Sequence, residues 1–139
     1  MKRYITLGIT VLLLVITAGV YSQTKKTIRE KGIVSMTVNE YFLEEGMDEP
    51  VVETFERYNE DGELLEIKEL NRRGEVQRWE RYSYNDEGLL EEEVFLDERG
   101  RVTQTEKTIY KDGLRVEKHF FNSRGKLFKR KEYIYEYSQ

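Results

Sequence analysis

Through the second half of the chain, apolar residues flank short polar groups that each end in a glycine, while the middle of each intervening segment is charged on one face and mixed on the other. Glycines at 62, 74, 88, 100, 113 and 125 follow the groups NED, NRR, NDE, DER, KD and NSR. Five of the six fit one phrase, apolar–Asn/Asp–x–x–Gly–x–apolar. Its flanking pairs are Tyr58 and Leu64, Leu70 and Val76, Tyr84 and Leu90, Leu96 and Val102, Phe121 and Leu127. Recurring polar–glycine groups predict hairpin turns, and the segments of eight to ten residues between them have the length of strands. Asn or Asp at the first position of a type I turn accepts a hydrogen bond from the backbone two residues on. Glycine at the fourth tolerates the left-handed conformation that creates a bulge. In that geometry the two apolar residues of each phrase lie across the ladder from each other.

Segments 63–70, 75–84, 89–96 and 101–110 between these turns are all even in length, so the apolar pair is expected on the same face at every turn. Val, Tyr, Phe, Thr and Ile are frequent in them, as strands favour. The turn at Asp112-Gly113 is one residue shorter, and Asp-Gly suits a two-residue type I′ loop. It predicts Lys111 opposite Leu114 and Tyr110 opposite Arg115, with Phe121 facing the same way as Tyr110. Upstream, residues 33–43 and 51–58 read as two more strands, joined by a loop over 44–50 that holds the only proline, Pro50. Residues 23–31 show no clear period and are expected to form a mobile leader. The predicted fold is all-β: an antiparallel meander of seven or eight strands built from β-hairpin repeats, in a single-layer or strongly twisted, curled sheet. The repeat domain spans 32–139, with units starting near 58, 84 and 110.

The phrase Tyr-Asn-x-x-Gly-x-Leu at Tyr58-Asn59-Gly62-Leu64 and Tyr84-Asn85-Gly88-Leu90 resembles the tyrosine-aspartate (YD/Rhs-like) hairpin repeats of exported bacterial proteins, particularly those of Bacteroidetes. The likeness covers roughly residues 58–137. In large Rhs proteins such repeats form a shell around a toxin; three units are too few to enclose a domain, so that role does not carry over. A weaker resemblance is to the MORN-like repeats of some antitoxin-like proteins, through Gly125-Lys126-Leu127, with their double-aromatic phrase present only at Phe120-Phe121. Neither resemblance implies catalytic residues.

The start of the chain changes the picture of where the protein works. Lys2 and Arg3 precede an uncharged, mostly apolar run from Tyr4 to Tyr21, with small residues Val20 and Ser22 before Gln23. That is a secretory signal pattern with a cut after residue 22. It implies an exported protein, in the bacterial periplasm, at the cell surface or outside the cell, with no membrane span after signal cleavage. Of the chain's 23 basic and 27 acidic residues, removal of Lys2 and Arg3 leaves 21 against 27, a net charge of −6. Nucleic acid is a poor partner for such a chain. With no cysteine there is no disulfide and no thiolate metal site.

Candidate chemistry is sparse. His119 is the only histidine and reads as a strand residue beside Glu117. Glu91, Glu92 and Glu93 alternate sides of a strand and cannot form a facing acid–base pair. One acidic turn such as NEDG supplies too few oxygens for calcium. No catalytic residue, metal or cofactor is therefore expected. Two binding surfaces stand out instead. The residues before glycine are Asp61, Glu87 and Asp112 at one end of the strands and Arg73, Arg99 and Arg124 at the other. The arginines would form a row at about 9–10 Å spacing, fit for an anionic partner. Trp79, Tyr82, Tyr84, Phe95 and Tyr110 are the second candidate, as a stacking platform for sugar rings. The last residues, YIYEYSQ, would leave an aromatic edge open to pairing in a homodimer. The sequence thus points to a non-enzymatic interaction or scaffold module with a protein or envelope-glycan partner; a glycan-binding module and an immunity or antitoxin-like partner protein are the alternatives.

Overall fold

The structure is a computed structural model that describes residues 24–43 and 49–138. The signal segment expected over 1–22, its cut before Gln23 and residues 44–48 of the loop lie outside the described residues. The elements are α1 (Lys25–Lys31), β1 (Ser35–Glu40), β2 (Val51–Tyr58), β3 (Leu64–Leu70), β4 (Val76–Tyr84), β5 (Leu90–Leu96), β6 (Val102–Lys111), β7 (Leu114–Asn122) and β8 (Leu127–Glu132). All eight strands form one antiparallel sheet in chain order, open at β1 and β8. The all-β meander expected from the sequence is the observed fold.

The turns work by the mechanism the phrase predicts. In the NRRG turn the Gly74 amide donates to the Asn71 carbonyl at 2.8 Å, and the Asn71 amide donates to the Glu75 carbonyl at 2.9 Å. The Asn71 side-chain oxygen accepts from the Arg73 amide at 2.9 Å and the Glu75 amide at 3.0 Å. Asn85, Asp97 and Asn122 repeat this double acceptance in their own turns. The short turn has Asp112 at φ 52° and Gly113 at φ 74°, both left-handed, as a type I′ loop requires. All five apolar pairs face each other across the ladder, and Tyr110 opposes Arg115 as expected.

Between those partners and the next ladder pair each hairpin holds a second irregularity that the sequence reading lacked. Tyr58 pairs with Leu64, yet Arg57 pairs with Glu66, so Leu65 is an extra residue. The same shift leaves Gln77, Glu91, Thr103, Val116 and Phe128 as extra residues in the other hairpins. One extra residue swaps which face the rest of the strand presents. The expectation that the apolar pair keeps the same face at every turn is therefore corrected: Tyr58 and Leu64 lie on one face, Leu70 and Val76 on the other, and in between Lys68 pairs with Trp79 and Glu66 with Arg81. Phe121 likewise opposes Thr105, and it is Phe120, opposite Glu106, that shares the face of Tyr110.

Two faces result. On the tryptophan face the ladder aligns Glu66, Lys68, Trp79, Arg81, Val94 and Phe121. On the tyrosine face it aligns Glu56, Ile67, Glu80, Tyr82, Phe95, Glu106 and Phe120. Among the described residues only Ile28, Ile67 and Phe120 are buried apolar side chains. A sheet with so thin a core depends heavily on contacts between neighbouring strands.

Tyrosine has a use the ladder pairing alone does not require. The hydroxyl of Tyr84 donates to the Leu64 carbonyl at 2.8 Å, that of Tyr110 to Leu90 at 2.8 Å, and that of Tyr135 to Arg115 at 2.6 Å. Each acceptor immediately precedes an extra residue of the neighbouring hairpin. At the opposite end of the strands the equivalent positions are Leu70, Leu96 and Phe121, which carry no hydroxyl.

Residues 25–31, inside the stretch expected as a patternless leader, form α1. Thr24 caps it through a 3.2 Å bond from the Thr27 amide, and Gly32 at φ 63° ends it. The Ile33 amide then donates to the Ile28 carbonyl at 3.0 Å, closing the helix end in a Schellman-type arrangement. Ile28 is 1% exposed. The helix backbone lies directly on the first repeat turn, where a Cβ added to Gly62 would meet the Lys25 carbonyl oxygen at 2.4 Å. Among the described residues no helix is long and apolar enough to cross a membrane.

Candidate interaction surfaces

The middle of the sheet is a set of charge ladders in which a residue on one strand is answered from its neighbours. On the tryptophan face Glu66 receives Arg57 from β2 at 3.3 Å and Arg81 from β4 at 3.1 Å, while Trp79 Nε1 donates to it at 2.7 Å. Burial alone would raise the Glu66 carboxyl. The hydrogen bonds from Trp79 and Arg81 and the charges of Arg81 and Arg57 outweigh that effect and hold it below the ordinary value. Further along the same face Lys107 pairs with Glu92 at 2.9 Å. On the tyrosine face Arg78 reaches Glu69 at 3.1 Å and Glu80 at 2.8 Å. Lys118 reaches Glu93 at 2.7 Å and Glu106 at 2.6 Å. Burial would lower the Lys118 ammonium, but bonds to Glu106 and Glu93 hold it raised.

Because the Glu66 carboxyl is lowered in the folded state, its contribution is present above the unfolded-state value of about 4.3 and is lost as pH falls through the folded one. Glu66→Gln keeps an acceptor for Trp79 but removes the charge. It is expected to cost about 1–2 kcal/mol at pH 7, with the gap to wild type smaller at pH 3. Urea midpoints at the two pH values read this directly, and a gap of equal size at both would refute the ladder's electrostatic role.

The arginine row is present at one set of turns but is not a bare cationic strip. Arg73 bonds Glu75 of its own turn at 3.0 Å, and Arg99 lies 3.9 Å from Glu98. Asp97 in that turn is held by Arg101 at 2.7 Å. Arg124 has no ion-pair partner among the described residues. At the opposite end Glu87 and Asp112 line a shallow acidic depression with Asn85, Asp86 and Tyr110.

The five aromatic residues do not come together. Trp79 lies on the tryptophan face, with the Lys68 ammonium 4.1 Å above its ring and Gly100 beneath its edge. A Cβ on Gly100 would meet that ring at 3.1 Å. Tyr82 and Phe95 lie on the opposite face, where the Tyr82 hydroxyl bonds Glu80 and accepts from Arg78. Tyr84 and Tyr110 have their hydroxyls committed to backbone carbonyls. Trp79 is therefore separated from the other four, because an odd number of positions along β4 divides it from Tyr82 and puts the two on opposite faces.

Two clusters escaped the sequence reading. The first is the clamp between α1 and the first repeat turn. Glu63 is 7% exposed, with Lys25 Nζ at 2.6 Å and the Asn59 amide nitrogen at 3.1 Å. Burial would raise its carboxyl, but these two donors outweigh it and lower it. The second is the β7–β8 edge. Phe120, 4% exposed, is approached by the ammonium groups of Lys129 at 3.8 Å, Lys131 at 5.4 Å and Lys118 at 5.7 Å. Every residue of β8 is exposed. The run FKRK at 128–131 was visible in the sequence; which lysines lack a counter-charge needed the register. His119 bonds Glu117, beside Arg130. Among the described residues no three His, Cys, Asp or Glu side chains are placed to hold a metal ion.

No protein-family model matches this chain, and no curated protein matches it.

Proposed function

We propose that the chain is an exported, non-enzymatic β-hairpin repeat protein of the tyrosine-aspartate type, acting as an interaction or scaffold module at the bacterial periplasm or cell surface. The observation that carries this reading is the open sheet. Its recurrent Asn, Gly and Tyr residues are engaged in its own turns and backbone, and its interior charges answer one another between strands, while β8 is left wholly exposed. The carboxylates that burial singles out, Glu63 and Glu66, each have cationic and neutral donors around them, as structural clamps do. A protein partner fits better than a glycan, because Trp79 and the tyrosines lie on opposite faces.

The test is affinity capture with immobilised residues 23–139 and the envelope fraction of the native cell. A partner retained near one-to-one and displaced by free chain supports the reading. Retention no greater than on an unrelated acidic protein of the same net charge would overturn it.

A further inference from the structure

Within the sheet, like charges that face each other are reconciled by the next strand. Glu93 on β5 and Glu106 on β6 are direct ladder partners, an arrangement that is unfavourable by itself. Lys118 on β7 lies within 2.7 Å of both and neutralises the pair. One step further the same situation recurs with the sign reversed. Lys118 on β7 directly opposes Lys131 on β8. Lys118 already has its two carboxylates. Lys131 has none among the described residues, and neither has Lys129 two positions earlier on the same face. Among the described residues no strand supplies the answering carboxylates, because β8 is the outermost in the sheet.

We propose that β8 receives a ninth strand from a partner protein: an extended acidic segment with carboxylates at alternate positions, set opposite Lys129 and Lys131. This rests on the reading of the chain as an interaction module and names the chemistry of its partner. Three features of β8 fit such an occupant. It hydrogen-bonds only to β7, so its outward backbone groups offer a ladder to an added strand. Lys129 and Lys131 lie about 6.8 Å apart along one face, the spacing of alternate residues in a paired strand. Phe120 beneath them lies near both ammonium groups without neutralising them. A second copy of β8 is a poor occupant, since each copy brings Lys129, Arg130 and Lys131 against a single acid, Glu132. The edge-to-edge homodimer expected from the sequence is disfavoured on these charges.

The test uses a fluorescent nine-residue peptide alternating glutamate with valine, titrated into residues 23–139 and followed by anisotropy. Lys129→Glu with Lys131→Glu is expected to weaken binding about tenfold or more. Methylating the peptide's alternate backbone nitrogens, which blocks strand pairing at unchanged charge, is expected to weaken it comparably. Both lysines are on an exposed strand, and an unchanged far-ultraviolet dichroism spectrum verifies that the double variant folds. Equal affinity for the methylated peptide, or displacement by polyphosphate at equal charge concentration, would mean a cationic patch with no strand addition and would overturn the proposal. So would unchanged binding by the double variant, or no binding of the peptide at all. If the peptide fails while the immobilised chain still captures a partner, strand addition at β8 is wrong and the interaction reading stands; if neither binds, both are wrong.

Discussion

Gly62→Ala is expected to destabilise the α1 end of the sheet by about 3 kcal/mol or more, against about 1–2 kcal/mol for Gly74→Ala. The two glycines have nearly the same backbone, φ 78° and 77°, so the left-handed penalty is common to both. Their surroundings differ. A Cβ at Gly74 meets nothing within 4 Å, whereas at Gly62 it meets the Lys25 carbonyl at 2.4 Å and the Arg29 amide nitrogen at 3.0 Å. Those are backbone atoms of α1 and cannot rotate aside. The helix must lift, which weakens the Lys25–Glu63 ion pair and exposes Ile28. Strands contact chiefly their neighbours, so the loss is expected to be local at first. Hydrogen exchange at the Ile28 and Ile33 amides should therefore report it more strongly than a urea midpoint followed by Trp79 fluorescence. Equal losses from the two substitutions by both measurements would mean that α1 contributes nothing to the fold.

The helix that this pair of substitutions probes was also legible, in hindsight, from Thr24 and Gly32 at its ends. Its apolar pattern consists of Ile28 and Ile33 alone, too few positions to set a period of 3.6 against the strands that follow. The turns were far easier to read. Asn or Asp and Gly are demanded at fixed places by backbone angles and hydrogen bonds, so their spacing predicts the strand order and all seven cross-turn pairs observed. What the sequence concealed was the extra residue in every hairpin. Leu65, Gln77, Glu91, Thr103, Val116 and Phe128 share no chemistry, because a residue left out of the ladder has no common demand on its side chain. Face assignments carried across a turn go with it, which is why Phe120 and not Phe121 shares the face of Tyr110. The separation of Trp79 from Tyr82 and Tyr84 is different: the period of two along β4 sets it without any extra residue.

Lys118→Met is expected to cost about 2–3 kcal/mol, while Lys129→Met, which also removes a lysine beside Phe120, should stay within about 0.5 kcal/mol. The difference is in what each leaves behind. Lys118 is 17% exposed and separates Glu93 and Glu106, themselves 20% and 13% exposed, so its removal leaves two facing carboxylates with restricted access to water. Methionine fills much of the space but supplies neither charge nor donor. Lys129 has no carboxylate to orphan, and its loss removes only a cation over an aromatic ring. If the deficit in Lys118→Met comes from facing charges, it should be largely recovered by adding Glu93→Gln and Glu106→Gln, which keep the shapes and remove the repulsion. Added salt should recover only part of it, because screening is weak between partly buried groups. Urea midpoints of the two single variants and the triple variant decide the matter. A triple variant no more stable than Lys118→Met would assign the loss to packing around Phe120 and remove the pattern of like charges bridged by the next strand from which the acidic partner of β8 is inferred.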